Sequence, residues 1–270
     1  MKSFIQYISV FLISLSIFSC SDDETNINPT DGLTKIGEAY ALGAGAKVEL
    51  WANEDLFSGY NSLYVALYDS TNGKRIKESH VHFNPVMTME GGMQHSCPVI
   101  NPEDENAVKE LFPGAAIFIM PSSDMGFWEM NIGVHNHLNE KFGTATFDIE
   151  VASATPSRVK SFVTESSEKI FIAYNFPAKK KVGVNDFDVA VYKMVSGTEF
   201  TPVDNFTISL EPEMPSMDHG SPNNVDPVYD EANGQYRGKV NFTMTGEWRL
   251  NLTLNRGDES EPIFFDVTLD

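Results

Sequence analysis

The chain has 270 residues, 38 of them acidic and 19 basic, for a net charge of −19. Its length suits one large or two ordinary domains, each able to bury a core. The charge argues against a nucleic-acid partner, because gripping a phosphate backbone takes clustered Lys and Arg. Two cysteines, one of them in the N-terminal segment, leave no disulfide framework.

Taken in order, the chain opens with Lys2 and an apolar run from Phe4 to Phe18, too short and too terminal for a spanning helix. Residues 1–19 read as a signal peptide. Ile17-Phe18-Ser19-Cys20 resembles a bacterial lipobox, which makes Cys20 the residue to be lipidated. Ser21-Asp22-Asp23-Glu24 resembles the export signal of surface-exposed lipoproteins of the Bacteroidota. Residues 20–34 then read as a lipidated cysteine and flexible tether. The expected address is the outer membrane, at the cell surface, with the periplasmic face as the alternative.

Beyond the tether, Lys47–Trp51 alternates, Ser62–Tyr68 is β-rich and ends in the turn cluster Asp69–Gly73, and Lys77–Phe83 alternates again. Residues 102–112, with Pro first and acids in the first turn, predict a short helix. Ala115–Met120 and Phe127–Val134 predict a hairpin around Pro121–Gly126, with Trp128, Met130, Ile132 and Val134 on one face. From about residue 155 the pattern restarts. Asn61, Val65, Ala66 and Tyr68 recur as Asn185, Val189, Ala190 and Tyr192, each 124 residues later. A last hairpin is expected from Tyr236–Phe242 and Glu247–Leu254, turning at Thr243–Gly246, with Trp248, Leu250, Leu252 and Leu254 inward. Trp128 and Trp248 are only 120 apart, so the first repeat carries about four extra residues, which the reading places in an insertion at 102–112. Such spacing indicates internal duplication. The fold class is all-β: two tandem immunoglobulin-like β-sandwich domains, at 35–153 and 154–270.

The chemistry-bearing stretch also occurs twice. Met93, His95 and Pro98 recur as Met217, His219 and Pro222, again at 124. If Met93, His95 and Cys97 lie on an extended segment, thioether, imidazole and thiol project from one face, with Met87 and Met89 also two apart. Such donors suit a soft ion: Cu(I) prefers thiolate and thioether, Cu(II) and Zn(II) accept imidazole, and Ca(II) or Mg(II) would want oxygen. The second copy offers Met214, Met217 and His219, with Ser221 in place of the cysteine. Met125 and Met244, just before the Trp strands, add donors if those turns fold beside the Met/His loops. His80 and His82, two apart on a strand leading into the first loop, read as exposed strand residues, with a further imidazole for that loop as the alternative. His135 and His137 read as a strand-end turn, and Asp104 and Glu105 as solvated charge. No nucleophile elbow, phosphate loop, zincin helix or dinucleotide fingerprint is present, so no enzyme is expected.

In the second repeat, Met214-Pro-Ser-Met217-Asp-His219-Gly-Ser-Pro222, Gly234-Gln-Tyr236 and Val240-Asn-Phe242-Thr-Met244-Thr-Gly246-Glu-Trp248 resemble the YtkA-like family of small extracytoplasmic domains. They are also similar to the related FixH-like modules. The resemblance spans about residues 165–268, and the first repeat is a more divergent cousin. It implies an immunoglobulin-like sandwich, secreted or tethered, often found alongside copper-handling proteins. The matching ligand candidates are Met214, Met217, His219 and Met244, then Met93 and His95, with Met125 matching less closely. The expected function is copper capture or delivery to a copper-handling partner by a lipid-anchored protein. The alternative is a structural or adhesion module contacting protein or glycan, and a third reading is an enzyme using Cys97.

Overall fold

A computed structural model of the protein describes residues 28–270; the signal segment 1–19, Cys20 and the acidic run after it lie outside the described residues. The first half comprises β1 (Thr34–Ala41), β2 (Ala46–Ala52), β3 (Gly59–Asp69), β4 (Arg75–Ile76), β5 (Ser79–Met89), β6 (Gln94–His95), β7 (Val99–Ile100), β8 (Phe112–Phe118), β9 (Gly126–Asn136) and β10 (Lys141–Ile149). The second comprises β11 (Val159–Val163), β12 (Lys169–Asn175), β13 (Gly183–Met194), β14 (Phe200–Pro202), β15 (Thr207–Met214), β16 (His219–Gly220), β17 (Val225–Asp230), β18 (Gln235–Phe242), β19 (Gly246–Arg256) and β20 (Glu259–Leu269).

Each half is a β-sandwich of two antiparallel sheets. In the first, β1-β2-β3-β8-β7 packs on β10-β9-β5-β6; in the second, β11-β12-β13-β18-β17 packs on β20-β19-β15-β16, and β4 and β14 hang on β3 and β13. The second half therefore repeats the first strand for strand. Alternation decides the faces: Trp128, Met130, Ile132 and Val134 of β9, and Trp248, Leu250, Leu252 and Leu254 of β19, are buried in their respective cores. Where alternation fails, a strand is covered on both sides. Phe187–Tyr192 of β13 is an unbroken buried run, because the outer face of its sheet meets the first sandwich. There Ile117 packs with Ala173, Ala190 and Tyr192, flanked by Tyr60 and Phe200, and the small alanines permit close approach.

Four expectations are corrected. Residues 102–112 form no helix; Lys109 and Glu110 adopt positive φ in a tight turn, and the segment docks on the strand edge through Ala107 N–H to Lys77 O and Ser79 N–H to Glu105 O, both 2.8 Å. These bonds satisfy backbone groups that a helix would otherwise have paired internally. Neither predicted hairpin exists, since β8 pairs with β3 and β7, and β9 with β5 and β10; the connection crosses from one sheet to the other, as does β18 to β19. The reason is core filling: Phe118 and Trp128 meet edge-on at 5.1 Å, and Phe242 and Trp248 at 5.5 Å, each pair bridging the two layers. The extra residues of the first half lie in this crossing. Gly59 pairs with Phe118 as Gly183 pairs with Phe242, both at offset 124, so the spacing drops to 120 only between Phe118 and Trp128. Finally, the end of the expected tether belongs to the fold: Thr30 is buried, its N–H and hydroxyl bonded to Asn28 Oδ1, and β1 begins at Thr34.

Candidate metal centre

The Met/His loops close the same end of each sandwich. In the second, Met214 ends β15, the turn Pro215–Met217 follows, Asp218 at φ 47° reverses the chain, and His219 pairs directly across from Met214. Directly opposed residues of an antiparallel pair share a face. Met214 is buried while His219 is exposed, so the imidazole caps the rim above a covered thioether. The sheet-crossing turn completes the rim. His219 Nε2 stands 3.2 Å from Thr243 Oγ1, its ring is 6.2 Å from Trp248, and Trp248 Nε1 donates to Met244 O at 3.1 Å. Met217 and Met244 are exposed on the two turns that flank the imidazole.

The first sandwich repeats the pair: Met87, buried, lies opposite His95. Its longer turn gathers more sulfur. Met89 N–H donates to Met93 O and Glu90 N–H to Met125 O, both at 2.8 Å, so the turn carrying Met125 folds beside the Met/His loop. A Cβ on Gly126 would stand 2.6 Å from Met87 Cε and 2.7 Å from Met89 Sδ; Gly246, its counterpart, has Met214 Cε at 3.1 Å. Glycine at both positions leaves room for the thioethers. His95 is less open than His219, because Ser96 N–H donates to Gly197 O at 2.9 Å and brings a turn of the second sandwich against the imidazole.

Three site expectations are revised. Met93, His95 and Cys97 do not share a face: β6 ends at His95, Ser96 turns inward to donate to Pro85 O at 2.6 Å, Met93 is 65% exposed and Cys97 is 3% exposed. Burial pushes the Cys97 thiol well above its ordinary pKa, which disfavours the thiolate that a soft ion or a nucleophilic step would draw on. The counterpart of Met244 is Met120 rather than Met125, because Trp128 Nε1 donates to Met120 O at 3.2 Å just as Trp248 does to Met244 O. Met120 is half-buried against the first core, and its exact 124-residue spacing from Met244 was the available signal.

A second cluster was missed. His80, His135 and His137 each bring a ligand atom within 4.8 Å of the others, as do Glu78, Glu105 and His137. His80 and His135 oppose each other across β5 and β9 on the outer face of the sheet, at the end remote from the methionines. The supposed charged insertion supplies Glu105.

The architecture thus defines a tandem pair of β-sandwiches with sulfur and imidazole at matching rims. Within it, residues 164–253, inside the second sandwich, match the family model described as YtkA-like. No curated protein matches the chain. Similar solved structures include a conserved domain protein from Bacillus anthracis, 12% identical with a TM-score of 0.33 over 90% of this chain and 93% of that one. Another is pT26-6p, 8% identical with a TM-score of 0.28 over 87% of this chain and 64% of that one.

Proposed function

We propose that the rims bind copper as Cu(I), for capture or delivery to a copper-handling partner, without catalysis. The protein would do so at the outer membrane, anchored through lipidated Cys20 and facing the cell surface. The observation that carries this reading is the repeated cross-strand pair, Met87 with His95 and Met214 with His219. Packing alone requires a thioether in a core gap, but it does not require an imidazole opposite it twice. Thioether and imidazole without a free thiolate suit Cu(I) in an oxidising compartment and offer little to Ca(II) or Mg(II).

Of the two rims, the second is the more open, with Met217, Met244 and His219 all exposed. The test is an anaerobic Cu(I) competition titration of wild type, His95→Ala, His219→Ala and the double variant. His219→Ala should weaken one site at least tenfold, and His95→Ala a second. Unchanged affinity in the double variant would remove the copper assignment and leave the adhesion reading.

A further inference from the structure

We propose that His80, His135 and His137 form a separate site for a borderline divalent transition-metal ion, of the Zn(II) or Cu(II) class, on the outer face of the first sandwich. The three rings already lie against one another. His80 and His137 lie edge-to-face at 4.8 Å between centroids, His135 and His137 likewise at 4.8 Å, and His80 stacks on His135 at 5.5 Å. Three nitrogens each about 2.1 Å from a tetrahedral ion stand roughly 3.4 Å apart. Ligand atoms within 4.8 Å reach that spacing by side-chain rotation alone, and the partly exposed His80 has the freedom to supply it.

The backbone around the rings is fixed. Ser79 Oγ donates to His135 O at 2.7 Å, and the fully buried Asn136 donates to Ala44 O at 2.8 Å while accepting from Leu138 N–H at 3.0 Å. His137 is thereby locked between two anchored residues. One nitrogen of each ring faces a carboxylate: His80 Nε2 is 3.2 Å from Glu105, His135 Nε2 is 3.4 Å from Glu140, and His137 Nδ1 is 3.7 Å from both Glu78 and Glu105. An ion among the rings would take one nitrogen from each, and Glu105, shared by His80 and His137, is the carboxylate nearest to it. A carboxylate beside an imidazole orients the ring and raises its basicity, as around bound zinc generally. Phe142, stacked on His135 at 4.0 Å, shields one side. Beside His80 and His135 a shallow cleft of about 370 Å³, with His82, Gly133 and Thr144 in its lining, gives solvent access to the cluster.

The second sandwich places Thr207 opposite Asn255 where the first has His80 opposite His135. The site therefore belongs to the first half alone and is independent of the Met/His rims.

The experiment is isothermal titration of the full mature chain with Zn(II), followed by Co(II) absorption spectroscopy. Wild type should bind one Zn(II) at micromolar Kd or tighter, with Co(II) bands of four-coordinate nitrogen ligation. His135→Ala and His137→Gln should each weaken this site at least thirtyfold, and Glu105→Gln about tenfold. His219→Ala should leave it unchanged. Melting of the metal-free variants within a few degrees of wild type shows that folding is not the cause. Absence of saturable Zn(II) binding in wild type, or a His80→Ala/His135→Ala/His137→Ala protein that still binds as wild type does, would overturn the assignment.

Discussion

Glu49→Gln tests whether one carboxylate organises the outer face of the first sheet. Glu49 lies on β2 with its side chain opposite the core residues Val48 and Leu50, yet it is only 7% exposed. Lys47 Nζ donates to Oε1 at 2.8 Å and Lys35 Nζ at 3.1 Å, while Tyr68 OH donates to Oε2 at 3.1 Å. Burial pushes the carboxyl up, but the hydrogen bonds from Lys47, Lys35 and Tyr68 outweigh it and hold the group at about 2 against an ordinary 4.5. With the folded value depressed, the stabilisation is fully present above about pH 4.5 and is lost as the pH falls toward 2. The gap sets a ceiling of about 3.4 kcal/mol at roughly 1.36 kcal/mol per pH unit. The Lys35 and Lys47 side chains are 35% and 26% exposed, so solvent screens them and about 1–2 kcal/mol is the expected share. Urea denaturation of wild type and variant between pH 7 and pH 2.5 reads it directly. Wild type should lead at pH 7 and the difference should close at the acid end. Parallel pH profiles would refute the reasoning.

Cys97 should resist a thiol reagent in the native protein and react once unfolded, and Cys97→Ala should leave the Cu(I) stoichiometry unchanged. Fast native labelling, or a lost copper equivalent, would put the thiol back at the rim. Asn61 donates to Phe57 O at 2.8 Å and Gly59 O at 2.9 Å and accepts from Phe57 N–H; Asn185 makes the same three bonds to Lys181 and Gly183. Replacing either with Ala should cost about 1–3 kcal/mol in chemical denaturation, and a cost below about 0.5 kcal/mol would mean that the loop before β3 or β13 does not depend on its asparagine.

Much of this was legible in the sequence. Period-two alternation located β2, β5, β9 and β19, β-rich composition located β3, and the inward faces of β9 and β19 were legible because each meets a core. Duplication was legible through spacing, and Asn61 with Asn185 proves structurally meaningful down to individual hydrogen bonds. Pairing was not legible: nearness in sequence suggested hairpins at Pro121–Gly126 and Thr243–Gly246, whereas the tryptophans demand that the chain change sheets there. The apparent helix at 102–112 rested on local residue preferences that docking against β4 and β5 overrode. Cys97 was misplaced because alternation was extended past His95, where Ser96 turns the chain inward. The meeting of the three histidines was not legible because His80 and His135 are 55 residues apart and come together only through the register of β5 with β9.

That register also keeps the two proposed metal chemistries apart. β5 carries His80 near its start and Met87 and Met89 at its end, with roughly 24 Å of extended chain between His80 and Met87. No single ion bridges that distance. One strand therefore presents borderline nitrogen donors among carboxylates at one end and soft sulfur donors at the other. The donor types select different ions by softness, and the carboxylates beside the imidazoles favour a doubly charged ion over Cu(I). The variants consequently serve as each other's controls: loss of His135 should leave the Cu(I) rims intact, and loss of His95 and His219 should leave Zn(II) binding intact. A variant of one set that abolished both would mean a common fold defect, which the melting curves of the metal-free proteins distinguish from loss of a ligand.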